Sequence, residues 1–203
     1  MDLIHIPDSE FAERTQKTRL AMQEAEIDLL LAFSTESEPA YVRYYADYWP
    51  SFETAGVLIS ENGDDSLLIG PESRTFAAAR SKLPRIVRLM DFRESSQPAY
   101  PGAALDSWDG VLGGYRPKRL GIAGWHLVPH AIFENIRDAF PGMEIVNADE
   151  IVRSVMRTKS PAELNCLREA ARISELGFKA VLENIREGLT EVQLCGIATE
   201  AML

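Results

Sequence analysis

Polar and apolar positions along this chain fall into blocks whose periods change from element to element. Residues 10–25, EFAERTQKTRLAMQEA, set Phe11, Leu20, Met22 and Ala25 among charged neighbours, the pattern of a helix packed on one side. Ser9 is its expected N-cap, with Asp8 and Glu10 at the positive helix start. IDLLLAF, Ile27 to Phe33, is then short, continuously apolar and without alternation, as a strand buried on both faces should be. Tyr41 to Tyr48 form an aromatic-rich short helix. Gly56–Ser60 and Ser66–Ile69 are strand candidates separated by ENGDD, where Asn62-Gly63 signals a hairpin whose two central positions take positive φ.

From Pro71 onward helical and strand patterns alternate. PESRTFAAARSKL reads as a helix, RIVRLMDF (85–92) as a strand, Leu105–Leu112 as a helix and RLGIAG (119–124) as a strand with a tight glycine exit. PHAIFENIRDAF carries Ile132, Ile136 and Phe140 at helical spacing behind Pro129; Pro141-Gly142 stops it, and MEIVNA adds a last strand. The alternation predicts an α/β domain with a mixed sheet, because the Asn62-Gly63 hairpin makes one strand pair antiparallel.

After the short helix DEIVRSVMR the strand signals cease, which places a domain boundary near Thr158–Pro161 and divides the chain into 1–156 and 157–203. Ser160, Pro161 and Glu163 form a capping box with proline at the first helical position. The next helix has apolar residues at 164, 167, 171, 176, 178, 181, 182 and 185, and Gly188 is its expected terminator. Thr190 and Gln193 cap a second helix, which runs to Leu203 without a stop signal. Two apolar-faced helices with no sheet to cover build no core of their own. The expectation is a chain cut inside a second, α+β domain.

Charge and composition narrow the function classes. With 21 Lys+Arg against 31 Asp+Glu, a net charge of −10 and no basic run, the sequence argues against nucleic-acid binding. No stretch reaches the roughly 20 apolar residues of a membrane span. MDLIHIPDSEFAER has neither the basic nor the apolar region of a secretory signal. Cys166 and Cys195 form no CxxC pair, which excludes a cysteine-based zinc site or disulfide framework and suits a reducing cytoplasm.

Few residues carry chemistry of their own accord. His126 and His130 are four apart, but Pro129 lies between them and breaks the helical geometry that a metal pair would need; the default reading is solvated histidines in a strand-exit loop. The adjacent acids Asp64-Asp65 and Asp149-Glu150 read as a solvated turn and a helix start. No GxSxG, GxxxxGK[ST] or HExxH occurs. YVRYYADYWPSFE (41–53) concentrates rings with polar tips, which suit half-buried packing for most and ligand contact for some. Pro50 makes Trp49–Glu53 the part expected on an exposed loop, and Arg43, Tyr48, Trp49, Phe52 and Glu53 are the candidate site residues.

Residues 157–170, RTKSPAELNCLREA, resemble the segment that opens the catalytic domain in the creatinase/prolidase family of pita-bread metallopeptidases. Arg157, Lys159, Ser160, Glu163, Leu164, Leu167, Arg168 and Ala170 fit that pattern, and Gly188-Leu189-Thr190-Glu191 is similar to the family's turn into its next helix. Upstream, the first helix, IDLLLAF, the Arg43-Tyr44 pair and Gly56-Val57-Leu58-Ile59 follow the order of the family's N-terminal domain. The resemblance implies a mixed sheet flanked by helices, creatinase N-terminal-like and ribonuclease H-like, followed by the first helices of the catalytic domain.

It also implies an Xaa-Pro peptidase-like metallohydrolase whose later domain holds two divalent metals (Mn, Co or Zn), none of whose ligands fall on this chain, so that the chain alone is inert. The implied partners are a second copy of the chain and a small peptide or amide substrate. Residues 1–156 would then serve dimerisation and substrate gating. In the family's creatine-hydrolysing branch an arginine just before the GVLI-like strand reaches the neighbouring subunit's substrate carboxylate. Here that place holds Glu53, whose charge would repel it. The family's Asn, Leu and Gly around its Arg-Tyr pair are also absent from Tyr41–Tyr48. The alternatives are a non-peptide amidohydrolase and a non-catalytic protein-binding module, the use one histone chaperone makes of this fold.

Overall fold

The apolar run 27–33 places its strand at the centre of a six-stranded sheet, where it is covered from both sides. A computed structural model describes residues 4–94 and 104–203. Among these, strand β1 (Leu29–Ser34) is buried along its whole length. It pairs antiparallel with β2 (Ala55–Ser60) on one side and parallel with β5 (Arg119–Ala123) on the other. The remaining strands are β3 (Ser66–Ile69), β4 (Arg85–Arg88) and β6 (Glu144–Asn147), giving the order β4-β3-β2-β1-β5-β6. β2 runs against both its neighbours, whereas β3–β4 and β5–β6 are parallel pairs. The mixed sheet expected from the pattern is therefore present, with a single strand reversed.

Helices lie on both faces. One core joins Leu30, Ala32, Val57 and Ile59 to Met22 of α1 (Asp8–Glu24), to Val42 and Tyr45 of α2 (Ala40–Ala46), to Ala77 of α3 (Arg74–Arg80) and to Val152 of α6 (Asp149–Arg157). The other joins Leu29, Leu31, Phe33 and Ile122 to Val111 and Leu112 of α4 (Trp108–Tyr115) and to Ile132 and Ile136 of α5 (His130–Ala139). Alternation along β1 thus sends Leu30 and Ala32 to one core and Leu31 and Phe33 to the other, which is why its sequence shows no polar positions.

Several local expectations change. Leu20 is exposed, and the buried face of α1 is built from Phe11, Arg14, Thr15, Thr18 and Met22. The Arg14 guanidinium donates to Tyr44 O at 2.8 Å and to Glu10 Oε1 at 2.6 Å, and lies 4.3 Å from the centre of the Tyr44 ring. That pairing is what makes a buried arginine tolerable. Ser9 falls inside the helix, which starts at Asp8. The β2–β3 hairpin forms, but Gly63 takes positive φ (89°) and Asn62 does not, so the connection is a five-residue loop, 61–65. Asp65, expected in a solvated turn, accepts from Ser60 N and pairs with Arg19. The expected strand 85–92 ends at Arg88 and passes into a 3-10 turn, Met90–Phe92.

Residues 8–158 form one compact unit. The second comprises Lys159–Leu203 with the described residues before Asp8. It contains α7 (Pro161–Asn184) and α8 (Glu191–Met202), each opened by its expected capping box, Ser160 with Glu163 and Thr190 with Gln193. α7 stops at Asn184, ahead of Gly188, whose positive φ (89°) serves the connecting turn. At Gly177 a side chain would meet Met202 at 2.9 Å, so the glycine is what lets the two helices approach. Leu167, Phe178, Leu182 and Val192 remain exposed.

Candidate functional site

With β2 the only reversed strand among the described residues, the carboxyl ends of the five others lie along one edge of the sheet. The chain leaves β1 toward α2 on one face and leaves β5 toward α5 on the other. Divergent exits open a crevice at that edge, the place where open α/β sheets bind ligands. A cleft of about 800 Å³ occupies it. Thr35–Ser37 after β1, Phe52–Thr54 before β2, Met90, Asp91, Arg93 and Glu94 after β4, and the first turn of α5 form its walls.

Asp91 accepts from Trp108 Nε1 at 2.6 Å and Asn135 Nδ2 at 3.0 Å, which fixes its carboxylate beside the start of α5. No sequence motif singled it out; its one signal is an acid placed just past an apolar strand. Asp149, read as a helix start, does open α6, and it is also buried and accepts from Gly124 N at 2.7 Å and Trp125 N at 3.2 Å, tying the exit of β5 to α6. His126 lies 3.4 Å from Glu38 across two exposed loops.

The five candidate residues separate. Trp49 and Phe52 are exposed, at 46% and 50%. Phe52 stands in the cleft wall. Trp49 stands beside the cleft, its Nε1–H donated to Glu36 O at 3.2 Å and its ring 5.1 Å from the Arg43 guanidinium. Arg43 is itself exposed and faces Asp47 at 3.9 Å. Two candidates turn inward. Tyr48 is 1% exposed and packs against Phe76 at 5.5 Å, a core residue whose hydroxyl pKa is pushed up by burial.

Glu53, expected on the exposed loop, is 3% exposed. Its Oε1 accepts from Glu72 N at 3.1 Å and its Oε2 from Ser73 N at 3.2 Å, the residues just before α3. A carboxylate held this way satisfies two amide donors and cannot reach a neighbouring molecule. Pro50 and Gly70 explain the inward turn. Pro50 bends the loop, and at Gly70 any Cβ would collide with the Glu53 carboxylate.

Among the described residues no group of three or more His, Cys, Asp or Glu is placed to hold a metal ion. Of the acids at the cleft, Asp91 is committed to Trp108 and Asn135 and Glu53 to the backbone amides of Glu72 and Ser73. No described helix is long and apolar enough to cross a membrane.

A doubly covered sheet with one reversed strand and a cleft at its carboxyl edge is the architecture expected of a creatinase/prolidase-type N-terminal domain. The Creatinase/Prolidase N-terminal domain family matches residues 14–157, and the chain belongs to it, as the segment 157–170 and the order of the upstream signals indicated. Over 195 residues the chain is 25% identical to creatinase from Bacillus sp. (strain B-0618), covering 96% of this chain and 45% of that protein. In fold it is similar to X-Pro aminopeptidase from Thermotoga maritima MSB8, with a TM-score of 0.70, 21% identity, and 93% of this chain against 48% of that one. Prolidase from Pyrococcus horikoshii OT3 gives a TM-score of 0.69 at 19% identity, with 94% and 48% covered. The chain spans about half the length of the relatives it matches.

Proposed function

We propose that this chain is the N-terminal half of a metal-dependent hydrolase of the Xaa-Pro peptidase type. In that reading it pairs with a second copy of itself and presents Trp49 and Phe52 at the rim of a substrate site completed by the rest of the protein. The observation that carries the reading is the exposed aromatic pair at the cleft of a domain of this family, Phe52 in its wall and Trp49 beside it, held by the Glu36 carbonyl and Arg43. Exposed rings with a fixed orientation contribute large contact area at little entropic cost, the property a gate over a small apolar substrate needs. Two divalent ions, Mn, Co or Zn, would supply water activation from ligands outside the described residues. Glu53 and Tyr48 take no direct part, because both are buried.

The similarity to creatinase supports a second reading, a hydrolase of non-peptide amides. Metal content and a substrate panel on the whole protein separate them: metal-dependent cleavage of Xaa-Pro dipeptides supports the peptidase, and bound metal with turnover of a non-peptide amide supports the second. No metal and no turnover would leave a binding module. Replacing Trp49 and Phe52 by alanine in the active protein should raise KM several-fold while leaving metal content unchanged; unchanged KM and kcat would remove the gating role.

A further inference from the structure

The inward turn of Glu53 brings a second carboxylate beside it. The Glu72 amide already donates to Glu53 Oε1 at 3.1 Å, and the Glu72 carboxylate acts on Glu53 as a like charge. Its Oε2 is buried and has no hydrogen-bond partner. A buried carboxylate oxygen without a donor is costly, and two adjacent carboxylates cannot both stay ionised without a cation. The other groups coupled to Glu53 are Tyr48 from the loop after α2 and Ser73 from the turn before α3, neither of them a cation. Glu36, Asp91, Arg93 and Glu94 line other walls of the same cleft, and Glu72 is the charged group that acts on Glu53. One hydrogen atom shared by the two carboxyl groups answers both problems, because a protonated carboxyl is a donor.

We propose that Glu53 and Glu72 share a single proton as an acid–carboxylate pair, and that this proton latches the loop bearing Trp49 and Phe52 to the turn between β3 and α3. The two amide bonds to Glu53 position the loop from one side, and the shared proton removes the repulsion that would otherwise push it off. When the pair loses its proton the two carboxylates repel, the amides of Glu72 and Ser73 lose their acceptors, and the aromatic loop is released from the cleft wall. Burial drives the Glu53 carboxyl above its ordinary range in the same sense. The device concerns described residues alone and stands whether or not the protein is a peptidase.

Carbon-13 NMR of the glutamate side-chain carboxyls in the full chain tests it. The pair should titrate in two separated steps, one above the ordinary glutamate range. Protection of the Glu72 and Ser73 amides from hydrogen exchange, corrected for intrinsic rate, should be lost in the upper step. Glu72→Gln supplies a permanent donor and removes the like charge, so the Glu53 titration should shift down from its position in the unaltered chain and amide protection should persist to high pH. A single ordinary step for both carboxyls in the unaltered chain, a Glu53 titration unmoved by Glu72→Gln, or amide protection indifferent to pH would each overturn the proposal.

Discussion

The hydroxyl pair between α1 and α2 gives a sharp test of how this core is held. Thr18 and Tyr45 are both completely buried, and their oxygens are 2.8 Å apart. Thr18 Oγ1 also donates to Arg14 O at 2.9 Å, so its hydrogen is already committed and Tyr45 must be the donor between them. Burial accordingly holds the Tyr45 hydroxyl far above its ordinary pKa, neutral and able to donate. The two single replacements are therefore unequal. Tyr45→Phe removes a donor and leaves an acceptor that retains its own bond, a loss of about 1 kcal/mol. Thr18→Val strands the Tyr45 donor in a dry core and should cost about 2–3 kcal/mol. With both changed, no polar group is stranded, so the double variant should cost about 1–2 kcal/mol, well under the sum. Urea unfolding followed by circular dichroism, at constant m-value, measures all three. Additive costs, or Tyr45→Phe more damaging than Thr18→Val, would refute the donor assignment.

Asp149→Ala leaves the Gly124 and Trp125 amides without their shared acceptor and should destabilise by about 2–3 kcal/mol, with Asp149→Asn recovering part of it; chemical denaturation checks both. Gly124→Ala should cost about 2 kcal/mol or more in the same assay, because φ there is 83° and a Cβ would sit 2.5 Å from Phe33 O. The raised pKa of Glu53 means that folding favours its protonated form. Its contribution is full below the ordinary glutamate value of 4.5 and is lost as pH rises through the folded pKa. Stability of the unaltered chain relative to Glu53→Gln should therefore fall with rising pH through that window and level off above it. Parallel pH profiles of melting temperature would contradict this.

The parts of the fold legible in the sequence are those where one side chain decides one local geometry. IDLLLAF could only be a strand covered on both faces, and Ser160 with Glu163 and Thr190 with Gln193 could mark helix starts because each cap is closed within four residues. Illegible were the positions whose meaning depends on a distant partner. Arg14 looks like a solvent-facing residue until Tyr44, 30 positions away, gives it a carbonyl and a ring. Asp149 reads as a helix-start acid until the exit of β5 delivers two amides to it. In both cases burial of charge is made tolerable by donors or acceptors that periodicity does not record.

The candidate site divides along the same line. Pro50 correctly marks irregular chain, and Trp49 and Phe52 are exposed on it. Glu53 belongs to the same run of sequence but to a different environment, because the β3–α3 turn brings the Glu72 and Ser73 amides to it and Gly70 leaves room for its carboxylate. Charge alone would place that residue against substrate, whereas the fold commits it to the backbone. Under the proposed gating role, discrimination at this rim would fall to the rings of Trp49 and Phe52 rather than to the Glu53 carboxylate. Specificity built that way is expected to show in KM for substrates of different apolar size, and a KM unmoved by apolar size would refute it.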